Sequence, residues 1–362
     1  MAQKEEHMNK NNQTRELLTK HYQSYPELEI SDVFKYIFQS AMGCEHLVSD
    51  YTAAVNYIKR EHSAMTSSSP TLTDKLDGEY SRVHLSYLDR GLTAQTLGKL
   101  FCKSAKAVPN GKAEIENKLR IARELVADGS LPFALADFDK AVSVWENQSL
   151  SAIHHSEKFR KTYKPAYRVI ANEYVAFLPL FCEIDKLLQK GSAIVAIEGG
   201  SASGKTTLSG MLEKIYDCTV FHIDDFFLRP EQRTPKRLSE IGGNMDRERF
   251  LSEVLVPLSQ GENISYRRFD CLKQSLAPPE NISPKKLTII EGAYSMHPEL
   301  APYYDLSVFL EIAPERQKQR ILTRNSPTFA TRFFEEWIPK ERAYFSNFNI
   351  KESCDLCLPS DF

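Results

Sequence analysis

The chain has 362 residues, more than the roughly 100–200 of one ordinary domain, so two domains are the natural expectation. It is 42% hydrophobic and 26% charged, the composition of a folded globular protein. Its 46 lysines and arginines are offset by 48 acids, for a net charge of −2, which leaves no basic field for nucleic acid. No run reaches the roughly 18 apolar residues of a membrane span.

In chain order, Met1–Arg15 is polar and charged, lacks the apolar core of a signal peptide and reads as a frayed start. Residues 16–170 carry apolar residues at spacings of three and four, over Ile30–Met42, Leu92–Ala105, Ala113–Ala127 and Leu135–Gln148. That periodicity predicts helices. The Ser-, Thr- and Pro-rich stretch Ser63–Asp77 interrupts them as a loop. Residues 1–170 are therefore expected to form a mainly helical N-terminal domain. Within it, Gln39, His46, Arg82, His84, His154, His155 and Arg168 stand in polar clusters with Glu45 and Glu157. They read as buried histidines and structural arginines, with an anion or metal site as the alternative; no histidine pair has the i, i+4 spacing of a helical zinc motif.

After Ala171 a helix over Asn172–Gln189 is expected, kinked at Pro179. The short apolar runs Ala193–Ile197, Thr219–Ile223, Leu287–Ile290, Leu306–Leu310 and Asp355–Leu358 then alternate with helical segments. Such runs suit strands buried on both faces of a parallel sheet, which makes residues 171–362 a three-layer α/β domain. Seven cysteines are scattered through the chain, as in a reducing, cytoplasmic compartment. Cys354 and Cys357 form a lone C-x-x-C that reads as part of the last buried strand, since no second ligand pair completes a zinc site.

The chemistry concentrates in the second domain. Gly199-Gly200-Ser201-Ala202-Ser203-Gly204-Lys205-Thr206, with Thr207 next, fits G-x-x-x-x-G-K-[ST] directly after a predicted strand and before a predicted helix, the context of a phosphate-binding P-loop. Backbone N–H groups of such a loop curl round the phosphates of ATP, Lys205 reaches the β- and γ-oxygens, and Thr206 offers a hydroxyl to Mg²⁺. Glu291, closing the run Leu287–Ile290, is placed to act on the magnesium shell at the sheet's carboxyl edge. Asp224 and Asp225 end the second strand in Phe221-His222-Ile223-Asp224-Asp225-Phe226-Phe227. An aspartate there can orient or deprotonate an acceptor hydroxyl.

These elements, with Asn244-Met245-Asp246, Tyr266-Arg267-Arg268-Phe269, Glu291-Gly292 and a late arginine-rich helix, occur in the family's order over about 190 residues; the segment resembles the uridine kinase and phosphoribulokinase family of P-loop kinases. The resemblance implies ATP and Mg²⁺ as cofactors, Asp224 as catalytic base, and Asp246 and Tyr266 as residues that hold a nucleoside. The sequence departs from the family at Phe227, where a tyrosine is usual, at Arg247-Glu248, which replace a proline, and after Tyr266, where no histidine follows. Arg267 and Arg268 suit an anionic acceptor or a solvated face. Arg320 and Arg324, four apart on the helix after Leu306–Leu310, match the family's lid; Arg332 lies farther along, and Trp337 and Tyr344 read as packing residues. The expected activity is phosphorylation of a small-molecule hydroxyl, most simply of a nucleoside. Alternatives are pantothenate, a sugar phosphate or an organic acid as acceptor, or a nucleotide-dependent switch that turns over no acceptor.

Overall fold

The computed structural model describes residues 2–47, 50–66 and 71–360, without the side chains of 2–7 and Glu45. Contacts divide the chain into two compact units, Met1–Leu178 and Pro179–Phe362, so the division falls after Leu178 and not at residue 171.

The first unit is mainly helical: α1 (Ala2–Ser24), α2 (Ile30–Met42), α3 (Tyr51–Ser63), α4 (Ala94–Ser104), α5 (Gly111–Ala127), α6 (Leu135–Asn147), α7 (Glu157–Tyr163) and the short α8 (Asn172–Val175). Helix α2 buries Val33, Phe34, Ile37, Phe38 and Ala41 and packs on α5, which answers with Ile115, Leu119, Ala122 and Val126. Each such fully buried large aliphatic or aromatic side chain contributes about 1.5–3 kcal/mol. Sequence periodicity missed a three-stranded antiparallel sheet of β1 (Thr73–Lys75), β2 (Tyr80–His84) and β3 (Tyr167–Ala171), in the order β1-β2-β3. The reason is that β2 is buried along its whole length yet carries Ser81, Arg82 and His84, residues that hide a strand pattern. The loop expected over Ser63–Asp77 contains β1; its residues 67–70 lie outside the described residues.

This unit should be acid-labile. Burial depresses the His155 imidazole to about 4 and His21 well below its ordinary value. Burial would raise the carboxyl of Asp74, but hydrogen bonds from His84 and Tyr25 outweigh it and hold it at about 2. Both depressions act in one direction, because the unfolded chain binds protons that the native state refuses: the histidines' share of stability is lost as pH falls from 6.5 towards 4, and that of Asp74 as it falls from about 4 towards 2. Buried Trp145, whose indole donates to the Ser151 carbonyl at 2.8 Å, reports the transition in a Trp337→Phe background. The expected result is a melting temperature several degrees lower at pH 5 than at pH 7; an unchanged value contradicts the assignment.

The second unit opens with α9 (Leu178–Lys190), so the single kinked helix expected over Asn172–Gln189 is two helices, α8 and α9. Its five-stranded sheet consists of β4 (Ala193–Gly199), β5 (Cys218–His222), β10 (Leu287–Glu291), β11 (Leu306–Glu311) and β12 (Leu356–Pro359), in the order β12-β11-β4-β10-β5. Every pairing is parallel, and the register sets Glu291 beside both Ile197 and His222. From β4 the chain passes to β5 and β10 on one side, then to β11 and β12 on the other. That reversal opens a crevice at the strands' carboxyl ends.

Helix α10 (Lys205–Ile215) follows β4. Beyond β5 come α11 (Pro235–Ser239), α12 (Arg247–Phe250) and α13 (Val256–Ser259), then two small antiparallel pairs absent from the sequence reading. These are β6 (Ile264–Tyr266) with β9 (Glu280–Ile282), and β7 (Phe269–Asp270) with β8 (Ser275–Leu276). Helices α14 (Pro314–Arg324), α15 (Pro327–Arg332), α16 (Ile338–Phe348) and α17 (Ile350–Ser353) lead to β12. That last strand is an edge and not the buried strand expected: Cys357 is exposed, with its thiol 3.7 Å from Glu311 Oε2, and Cys354 is half-buried. No described helix is long and apolar enough to cross a membrane.

Candidate active site

The glycine-rich segment turns between β4 and α10 as its residue types demand. Gly204 caps α10 at φ +96°, and Gly199 has φ +150° with the Leu310 carbonyl 2.7 Å from where a Cβ would stand. A side chain is strained at the first position and blocked at the second. The Lys205 ammonium donates to the carbonyls of Gly199 (2.7 Å) and Gly200 (3.0 Å), so its charge is held over the loop. The hydroxyl of Ser203 is fully buried without a partner. Thr207 follows on the exposed first turn of α10.

Two braces that local sequence did not reveal fix the loop from outside. Glu341 on α16 accepts from the Ser201 N–H (2.9 Å) and hydroxyl (2.6 Å), while Gln317 on α14 donates to the Ser201 carbonyl (2.8 Å). Arg320 reaches the Ala202 carbonyl (3.1 Å) and the Ser360 carbonyl (2.6 Å). The arginine expected to close over the phosphate as a lid is thus tied to the loop's backbone; Arg324, one turn on, is exposed. Beneath the loop, Glu198 is fully buried at the end of β4 and accepts from Gly199 N–H (2.8 Å), Met296 N–H (3.1 Å) and Tyr344 Oη (3.0 Å). Burial pushes its carboxyl up to about 7 despite those donors. An acid inside an otherwise apolar strand was the signal for it, and Tyr344, read as packing, is its partner.

On the other side of the loop, Thr206 Oγ1 donates to Glu291 Oε1 at 3.2 Å, and His222 Nδ1 lies 2.5 Å from the same oxygen. That hydrogen bond raises the His222 pKa against the effect of burial. The hydroxyl of Thr206 and the carboxylate of Glu291 are hard oxygen donors of the kind that hold Mg²⁺ together with substrate phosphates. Among the described residues no group of three or more His, Cys, Asp or Glu side chains is placed to hold a metal ion by itself.

The two adjacent aspartates face different partners. Asp224 is open to solvent, yet loss of hydration raises its pKa, with Lys205 and His222 opposing and Glu291 adding to the rise. It belongs to the Lys205–Thr206–Glu291 cluster. Asp225 is paired with Arg268, whose Nε lies 3.6 Å from Asp225 Oδ2 and 2.8 Å from Glu280 Oε1. Asp246 is buried at the N-cap of α12, its N–H donating to the Phe226 carbonyl (2.7 Å) and its Oδ1 accepting from Arg249 N–H (3.3 Å). Its Oδ2 is buried without a hydrogen-bond partner, 3.4 Å from Arg249 Nε. The bridge Phe227–Met245 lays this segment against the Asp224–Phe227 turn.

Tyr266 is 2% exposed, its ring stacked on Phe226 at 5.7 Å and its hydroxyl 3.4 Å from Glu280 Oε2. The structure therefore places in the aromatic core a ring that the resemblance assigned to the acceptor. Arg267 donates to the Ala277 and Leu276 carbonyls (2.7 and 3.2 Å) and holds the β7–β8 hairpin, and Arg332 pairs with Glu336 at 3.6 Å.

Strand, glycine loop and helix, with Lys205, Thr206 and an acid from the adjacent strand, define a P-loop nucleotide-binding domain of kinase type. Residues 194–327 match the model of the Phosphoribulokinase / Uridine kinase family, and the parallel sheet with its glycine loop gives the C-terminal half a P-loop fold. The chain is 30% identical to the tRNA-specific adenosine deaminase subunit tad2 of Schizosaccharomyces pombe, over 46% of this chain and 44% of that protein. It is 23% identical to uridine kinase-like protein 3 of Arabidopsis thaliana, over 37% and 30% of the two chains. With the phosphoribulokinase of Synechocystis sp. the identity is 24%, over 34% and 38%. The chain spans less than half the length of each of these relatives.

Proposed function

We propose that the protein is an ATP-dependent kinase that phosphorylates a hydroxyl of a small molecule, with a nucleoside as the simplest acceptor. The observation that carries the reading is the convergence of Lys205, Thr206, Glu291 and Asp224 at the carboxyl edge of one parallel sheet. Lys205 leaves the loop carbonyls to pair with the β- and γ-phosphates, and the N-terminus of α10 adds its partial positive charge. Thr206 and Glu291 would hold Mg²⁺, which neutralises phosphate charge when bound. The acceptor hydroxyl attacks the γ-phosphorus, the bond from that phosphorus to the bridging oxygen breaks, ADP leaves with the electron pair, and the hydroxyl proton passes to Asp224. A nucleotide switch has no need of an aspartate there.

The acceptor class is set around Asp225, Arg268 and Asp246. Arg268 is already paired with Asp225 and Glu280, so its charge is offset and a neutral acceptor such as a nucleoside fits better than an anion. Likeness to a tRNA deaminase subunit covers less than half of either chain, and no deaminase activity is carried over from it.

ADP release measured over a panel of uridine, cytidine, ribose 5-phosphate, ribulose 5-phosphate, pantothenate and glycerate tests the reading. Stimulation by a neutral nucleoside is expected. Stimulation by the anionic acceptors alone overturns the nucleoside assignment and leaves the kinase.

A further inference from the structure

The first unit holds a polar interior that phosphoryl transfer in the second does not explain. Asp32 Oδ1 lies 2.8 Å from His155 Nδ1, His155 Nε2 2.6 Å from the Tyr167 hydroxyl, and Arg82 Nε donates to Gln39 Oε1 at 2.9 Å. Beside this network opens a cavity of about 690 Å³, within the usual range of ligand pockets, roughly 300–1,000 Å³.

Its walls are unbalanced in charge. Lys35, Arg160, Lys164 and Arg168 line it against a single acid, Glu61. Arg168 is 7% exposed: its Nη1 donates to Glu61 Oε2 (2.7 Å) and the Tyr167 carbonyl (2.8 Å), but its Nη2 is buried without a hydrogen-bond partner. A buried guanidinium N–H left unpaired costs on the order of 1–3 kcal/mol unless something accepts from it. The guanidinium also lies over Tyr57 (5.0 Å) and Phe101 (5.8 Å), which line the same cavity, and Tyr57 is half exposed. Lys35 donates to the Ile153 carbonyl (3.0 Å), and burial with the charges of Arg82 and Arg160, opposed by Asp32, pushes its ammonium down to about 8. Glu61 answers the Arg168 guanidinium on Nη1 alone, which leaves Nη2 for another acceptor.

We propose that this cavity is a second ligand site that takes a small organic phosphate, its phosphoryl group held by Arg168 and Lys35 and its apolar body against Tyr57 and Phe101. A dianion answers the excess of positive charge, and its oxygens accept from the Nη2 that has no partner. Arginine's planar fork matches phosphoryl oxygens.

Calorimetric titration of the full chain tests this in a Lys205→Ala background, which removes the P-loop lysine, with phenyl phosphate, inorganic phosphate and succinate as probes. Saturable binding of phenyl phosphate is expected, tighter than that of inorganic phosphate. Lys35→Gln and Arg168→Lys should each weaken it by on the order of tenfold. Lys35→Gln removes a buried charge, so the fold should survive and the measurement stands even if Arg168→Lys unfolds. Absence of binding, binding unchanged by Lys35→Gln, or succinate binding as tightly as phenyl phosphate overturns the proposal.

Discussion

Replacing Lys205 by alanine should lower turnover by on the order of 10²–10³-fold or more, the cost of removing one preorganised donor from a developing charge, while the melting temperature without nucleotide changes by no more than a few degrees. The ammonium is hydrogen-bonded to the carbonyls of Gly199 and Gly200, which water can satisfy in the variant, and the loop keeps its braces from Glu341, Gln317 and Arg320. Steady-state turnover and a ligand-free thermal melt, run side by side, separate the two effects. Near-normal turnover in Lys205→Ala would remove the phosphate-cradle argument. A large loss of melting temperature would make Lys205 a structural residue.

The second large effect divides two carboxylates. Asp224→Asn keeps size and most hydrogen bonding but loses basicity, so kcat should fall by on the order of 10²-fold or more with ATP affinity nearly unchanged. Asp246→Asn keeps a good N-cap for α12, so the fold should hold. It loses the charge facing Arg249 beside the Asp224–Phe227 turn, so on the proposed reading the KM for the acceptor should rise more than kcat falls. Phosphoryl transfer through a loose transition state needs limited help from a base; a modest kcat effect at Asp224 would make it a positioning residue. Full kcat in Asp224→Asn with loss of kcat in Asp246→Asn reverses the two assignments.

Much of the second unit was legible because its signals are local. Runs such as Leu287–Ile290 are strands buried on both faces, and the glycine loop declares strand, turn and helix within fifteen residues or so. What sequence could not show was the bracing: Gln317 and Glu341 lie 116 and 140 residues from Ser201, and no local pattern announces contacts at that range. For the same reason Arg320 read as a lid while its partners are the Ala202 and Ser360 carbonyls. Tyr266 matched an acceptor position by order in the chain, yet its ring stacks on Phe226 in the core. In the first unit, helices with apolar stripes were legible and the sheet was not, because Arg82 and His84 occupy β2. Those two residues and His155 stand in polar clusters along the sequence, but only the fold shows that antiparallel pairing sets His84 opposite Tyr167.

The most direct test of the central claim is to follow the γ-phosphoryl group of labelled ATP in the presence of Mg²⁺ and the acceptor panel. The account predicts label in a phosphate monoester of a hydroxyl acceptor, at a rate that depends on acceptor concentration and is lost in Lys205→Ala. Label found only in ATP and inorganic phosphate, from a protein that binds ATP normally, would contradict it.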